Sequence, residues 1–206
     1  GRGVPIPKRC TSMTGRPAAF LRPALAADRF WGTPAGGAFA ATPTHWSTTQ
    51  GGANGASIPA IGLGTWELRG RTCARIVEQA LRLGYRHIDT AQMYDNEREV
   101  GEGLRASGVK RDQVFLTTKI WPSHFAPHDL ERSAKECLVR LRLTEVDLLL
   151  LHWPNPQVPL VETLGALVRV KQQGLARHIG VSNFTVPLLE EAVALAGLQP
   201  RRRAFG

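Results

Sequence analysis

The chain has 206 residues, 43% of them hydrophobic, and a formal net charge of +9. That length permits one or two domains with a sizeable core, and no apolar run approaches the roughly 20 residues of a membrane-spanning helix, so no membrane role is expected. Residues 1–56 carry +5 and Arg201, Arg202 and Arg203 carry +3, which leaves +1 for residues 57–200; without a basic folded face or a recognised motif, nucleic acid is not an expected partner.

Residues 1–56 are rich in Gly, Pro, Ala, Thr and Arg and show no sustained period. Such a composition buries too little apolar surface to offset ordering entropy. They read as a disordered or non-native N-terminal extension, ahead of a folded part at 57–206. An Arg-rich, acid-poor start is also compatible with a transit peptide. Cys10, Cys73 and Cys137 are far apart and form no Cys-x-x-Cys. That pattern suits a reducing, cytoplasmic setting with no structural zinc.

After a turn expected at Asn54-Gly55, Ile61–Thr65 is the first strand candidate. Cys73, Val77, Ala80 and Leu81 share one face of a helix over Arg71–Leu83. Arg86–Asp89 reads as a second strand, Glu97–Ala106 as a second helix and Val114–Lys119 as a third strand. Leu130, Ala134, Cys137, Leu138 and Leu141 give the clearest helix, Asp129–Leu141, with Asp129 suited to its N-terminal turn. Val146–His152 is the fourth strand; its unbroken Leu148–Leu151 run predicts burial on both faces. Leu160, Leu164, Leu167 and Val168 form a helical face that Gly174 stops. His178–Ser182 is the fifth strand, and Leu188, Leu189, Ala192, Val193 and Ala196 make the last helix, with Pro187 in its first turn.

Strict strand–helix alternation predicts a parallel sheet with right-handed crossovers. An open doubly wound sheet and a (β/α)8 barrel both satisfy it. Gly62-Leu-Gly64-Thr-Trp-Glu67 lacks the third glycine of a dinucleotide-binding turn. Polar residues instead close several strands: Thr65, Asp89, Lys119, His152 and Ser182-Asn183. Barrels place their chemistry at those ends, so the reading is an α/β barrel.

The residue types suit carbonyl reduction. A tyrosine is a sluggish acid, with an ordinary pKa of about 10, and a neighbouring ammonium lowers that value. Tyr94 is the candidate acid, Lys119 the ammonium, and Asp89 the group that holds Lys119 charged. His152 suits a hydrogen bond to a substrate carbonyl, and Ser182 and Asn183 suit an amide such as nicotinamide. Taken singly, each of these residues also fits a cap, a core or a solvated position. Four of them at four positions on one predicted face point to chemistry.

Gly84–Gly101 (Gly-Tyr-Arg-His-Ile-Asp-Thr-Ala-Gln-Met-Tyr-Asp-Asn-Glu-Arg-Glu-Val-Gly), Leu167–Phe184, Thr117-Thr-Lys119-Ile-Trp121-Pro and Leu151-His152-Trp153-Pro are similar to the signatures of the aldo-keto reductases. From about Ser57 to Ala196 the chain resembles these monomeric NADPH-dependent barrel enzymes, and the segment after His152 is most similar to the bacterial 2,5-diketo-D-gluconate reductases among them. The resemblance implies Tyr94 as general acid, Lys119 and Asp89 as its tuners and His152 as carbonyl binder. It also implies Gly64, Thr65, Asp89, Ser182 and Asn183 beside NADPH, with Trp66, Trp121, His152 and Trp153 lining the pocket of a small carbonyl substrate.

The family barrel has eight strands and about 250 residues; about five strand–helix units are legible here. The expected fold is therefore an incomplete (β/α)8 TIM barrel of aldo-keto reductase type, with open parallel edges and no turnover by this chain alone. Alternatives are a fragment without function, produced by truncation or frameshift, and a non-catalytic barrel that binds the cofactor.

Overall fold

The computed structural model describes residues 50–53 and 56–197. The extension over residues 1–49, the Asn54-Gly55 turn, Cys10 and the Arg201–Arg203 end lie outside the described residues. Two short strands, β1 (Gln50–Ala53) and β2 (Ala56–Pro59), pair antiparallel across the 56/57 boundary expected from composition. Strand β1 escapes sequence reading because Gln-Gly-Gly-Ala carries neither β-branched residues nor an alternating pattern.

The main sheet follows the chain. β3 (Leu63–Gly64), β4 (His87–Asp89), β5 (Phe115–Ile120), β6 (Val146–Leu151) and β7 (Ala176–Val181) lie side by side in sequence order, all parallel. Helices α1 (Gly70–Arg82), α2 (Glu97–Ala106), α3 (Pro127–Leu141), α4 (Leu160–Gln172) and α5 (Val186–Gly197) alternate with them, each packed on the next. Every expected helix forms within two residues of its expected start where one was given. The strand boundaries move by up to two residues at each end. Short 3₁₀ turns at Gln92–Tyr94, Arg111–Gln113 and Pro122–His124 were not foreseen.

Helix termini follow local rules. Gly174 takes a φ of 74° just past α4, a left-handed position that costs glycine nothing. Gly101 permits a close approach, since a Cβ there would collide with the Leu141 carbonyl at the end of α3. The core lies between sheet and helices: Val77, Leu81, Ile88, Leu116, Ile120, Leu130, Cys137, Leu149, Leu151 and Leu167 are each 2% exposed or less. Burying each large aliphatic side chain contributes about 1.5–3 kcal/mol.

The expectation for Leu148–Leu151 is corrected. Leu149 and Leu151 are buried under helices, but Leu148 and Leu150 are only half-buried on the other face. Five strands do not close, so the inner face is only partly covered. β7 is an edge of the five-stranded sheet, and Val186, Leu189 and Val193 of α5 are exposed.

Candidate active site

Pairing register dictates what meets at the inner face. Side chains paired across parallel strands share a face, and the period is two. Gly64, Asp89, Thr117, Leu148 and His178 form one row; Lys119, Leu150 and Gly180 form the next row toward the strands' C-terminal ends. Asp89 and Lys119 are therefore diagonal neighbours on adjacent strands.

Lys119 is 6% exposed, and an ammonium so placed needs partners. It donates to Asp89 Oδ1 at 2.5 Å and to the Thr90 carbonyl at 2.9 Å. Its third neighbour is the Tyr94 hydroxyl, 3.4 Å away, and the ammonium lies 5.0 Å from that ring's centroid. Tyr94 closes the 3₁₀ turn after β4, and its backbone N–H donates to the Ala91 carbonyl. His152 follows β6 and packs edge-on against Tyr94 and Trp121, with centroids 5.7 and 5.4 Å away. Burial and the Lys119 charge hold the imidazole below the ordinary histidine pKa, against a smaller opposing pull from Asp89. Among the described residues its buried Nδ1 has no partner. A buried lone pair is tolerated better than a buried unpaired N–H, so we place the proton on Nε2.

The remaining expected residues separate by what they touch. Thr65 is fully buried, and its hydroxyl and N–H both donate to the Asp89 carbonyl, at 3.1 and 3.0 Å. Both bonds brace Asp89. Gly64 has open space where a Cβ would sit. Asn183, in the left-handed region with φ 61°, donates its Nδ2 to the His152 carbonyl and to Ser182 Oγ, at 2.7 and 3.1 Å. Among the described residues its Oδ1 has no partner, so it is available to a carboxamide N–H. Ser182 is held in register by its N–H to the Leu151 carbonyl. Open space at Gly64 and the amide-accepting group at Asn183 fit a nicotinamide cofactor.

Trp66 packs edge-on against Tyr94 at 4.9 Å and is half exposed, as is Trp153. Neither is core. Trp121 sits beside His152, and its backbone N–H donates to Gln92 Oε1, 3.1 Å away.

Gln92, Asn96 and Glu97 are the contributors that residue patterns did not single out. Gln92 also accepts from His124 Nδ1, tying the Tyr94 turn to the loop after β5. Asn96 and Glu97 are each 1% exposed at the start of α2. Glu97 accepts from Thr118 Oγ1 at 2.5 Å and pairs with Arg140 at 2.7 Å. Polar residues opening a helix look like caps in sequence, and only burial shows otherwise.

Residues 60–201 match the Aldo/keto reductase family, and the chain belongs to that family. It is 49% identical over 143 residues to methylglyoxal reductase DkgB of Salmonella typhi, covering 68% of this chain and 54% of that protein. Methylglyoxal reductase DkgA of Yersinia pestis is 41% identical over 148 residues, with 71% and 53% covered. Among solved structures, a putative 2,5-diketo-D-gluconic acid reductase B superposes with a TM-score of 0.68 at 51% identity, over 69% of this chain and 50% of that one. The Bombyx mori aldo-keto reductase, solved in complex with NADP, gives 0.64 at 35% identity, over 68% and 52%. The chain thus spans about half the length of the curated relatives it matches, and its sheet is a partial barrel of this fold.

Proposed function

We propose that residues 57–206 form the proton-donating part of an NADPH-dependent reductase that converts aldehydes or ketones to alcohols, with residues 1–56 an extension outside it. The observation that carries this reading is one ammonium, Lys119 Nζ, in reach of both Asp89 Oδ1 and the Tyr94 hydroxyl. A phenol beside a buried, carboxylate-anchored cation is favoured as a proton donor, because the phenolate left behind is stabilised.

In this reading a bound NADPH would supply the hydride for the carbonyl carbon. Tyr94 gives its hydroxyl proton to the carbonyl oxygen, so an alcohol forms. Nε2–H of His152 donates to the same oxygen and fixes its orientation. Gly64, Ser182 and Asn183 would hold the cofactor, while Thr65 keeps Asp89 in place. Trp66, Trp121 and Trp153 exclude water and line the pocket. The names of the relatives point to small oxidised carbonyl compounds, methylglyoxal and keto-sugar acids, as the substrate class. The reading holds the protein to be a cytoplasmic monomer.

A second reading is favoured by the extent of the match, about half of each relative. On it, the 206-residue chain has the proton-donating residues but needs three more strand–helix units to bind the cofactor and turn over. One experiment separates the two. NADPH oxidation with methylglyoxal is followed for this chain, and for residues 57–197 joined to the last three units of the Salmonella typhi relative. Turnover by the chain alone supports the first reading in full, and turnover only by the fusion supports the second. In whichever protein is active, Tyr94→Phe lowers kcat by roughly 10²–10⁴. Retained turnover in that variant would sink the acid role.

A further inference from the structure

Asn96 occupies the N-cap position of α2, yet its side chain makes no cap hydrogen bond. Asparagine at that position ordinarily accepts from the N–H groups of the first turn, for about 1 kcal/mol of helix stability. Here the amide turns away from its own helix. Its Oδ1 accepts from Thr90 Oγ1 at 2.8 Å, and its Nδ2 donates to the carbonyls of Thr65 and Leu68, at 2.8 and 2.9 Å. Three hydrogen bonds leave this buried amide well satisfied.

Those partners surround the Tyr94 turn. Residues 91–95 leave β4 after Thr90, form the 3₁₀ turn that presents Tyr94, and end at Asp95 in the left-handed region with φ 53°. The Thr90–Asn96 bond closes this excursion like a staple across its base. Thr90 also supplies, through its carbonyl, one of the Lys119 acceptors. Thr65 in turn braces Asp89. One amide therefore joins the Tyr94 turn to the acceptors of Lys119 and to the strand end that carries Gly64.

We propose that Asn96 is a positioning residue that sets the Tyr94 hydroxyl against the Lys119 ammonium, through the staple to Thr90 and the two bonds to the β3–α1 loop. The proposal rests on the proton-donor reading for its consequence in turnover, but its geometry is testable without turnover.

The chain contains two tyrosines, Tyr85 and Tyr94. Incorporation of 3-fluorotyrosine into the full 206-residue chain gives two ¹⁹F signals, assigned with Tyr94→Phe. Asn96→Ala shifts and broadens the Tyr94 signal and leaves that of Tyr85 in place. Asn96→Asp keeps the acceptor but sets a carboxylate oxygen against the Thr65 and Leu68 carbonyls, so its effect is at least as large as that of Asn96→Ala. Thr90→Val removes only the staple and gives the mildest shift; it decides the matter if Asn96→Ala does not fold. Asp147→Asn, at the far end of the sheet, lowers the melting temperature without moving the Tyr94 signal. In whichever protein turns over, Asn96→Ala lowers kcat at least tenfold, with KM for the carbonyl within about twofold. An unmoved Tyr94 signal in both Asn96→Ala and Thr90→Val overturns the proposal, as does joint movement of both tyrosine signals in step with lost stability. Failure of the reductase reading shows instead as no turnover in chain or fusion, with the ¹⁹F result intact.

Discussion

The two ends of the parallel sheet each hold a carboxylate paired with a cation, and the pairs are built in opposite ways. At the N-terminal end, the Asp147 side chain is 8% exposed, and its cation Arg111 is 26% exposed. Asp147 accepts from Arg111 at 2.6 Å and from the Leu116 N–H at 2.9 Å, with Arg177 at 3.4 Å. Oδ2 takes two hydrogen bonds and Oδ1 faces the second guanidinium, an arrangement for stability. At the C-terminal end the exposures reverse: the Lys119 side chain is 8% and the Asp89 side chain 32% exposed. There the buried member is the cation, and one of its neighbours is the Tyr94 hydroxyl. On the proposed reading, the same kind of charge pair is a brace at one end of the sheet and a tuner at the other. Barrels generally separate stability from catalysis between these two ends.

The largest expected effect breaks the tuner. Lys119→Met, measured as kcat/KM in whichever protein turns over, lowers activity by two or more orders of magnitude, because the phenolate loses its stabilising cation. A loss below tenfold would dissolve the contrast between the two pairs. Next comes the brace. Asp147→Asn leaves Arg111 short of its counter-charge and costs on the order of 3 kcal/mol in urea unfolding, with turnover in an active protein little changed at temperatures where it stays folded.

The comparison sharpens with pH, since each end holds a histidine kept neutral by burial. His87 opens β4 and shares a hydrogen bond with Thr117 Oγ1 at 3.1 Å; burial outweighs the opposing pull of Asp89 and lowers its pKa. Burial, then Lys119, lowers that of His152. An unfolded imidazole takes up a proton near pH 6.5, whereas these stay neutral to lower pH, so the unfolded chain binds more protons in that window. Their contribution is therefore fully present above about pH 6.5 and is lost as pH falls through that value toward the folded-state pKa. Melting temperatures taken from pH 7.5 down to 5 fall accordingly. His87→Gln and His152→Gln each flatten the slope, and an unchanged slope in both would remove burial as its cause. The smallest effect belongs to neither end. Glu131, held below the usual carboxylate range by Arg169 and Gln173, pairs with Arg169 across α3 and α4 at the surface. Arg169→Ala costs about 0.5 kcal/mol or less in the same unfolding measurement.

Much of the architecture was legible because strands and helices alternate with distinct periods. Leu130, Ala134, Cys137, Leu138 and Leu141 fall on the buried face that their spacing demands. The Leu148–Leu151 run misled, since apolar residues alone do not say whether a second layer covers them. Asp89, Tyr94, Lys119 and His152 could be picked out because reactive residue types at strand ends have few structural uses in common. Asn96 and Gln92 stayed hidden for the opposite reason: asparagine and glutamine near a helix start or turn have ordinary local uses. Their contacts reach residues 28 or more positions away as well as nearby ones. Trp66 and Trp153 could not be divided between core and pocket from sequence, because exposure is set by how far the surrounding elements close.

Because the order of the five strands in the sheet is their order in the chain, the site is also ordered in time. Each helix packs on the next, so pairing can advance from one end as a growing polypeptide leaves the ribosome. Asp89 and Tyr94 emerge first, Lys119 meets them once β5 adds to β4, and His152 arrives a full strand–helix unit later. On the proposed reading, the acid and its cation can dock as nascent chain while His152 is still inside the ribosome.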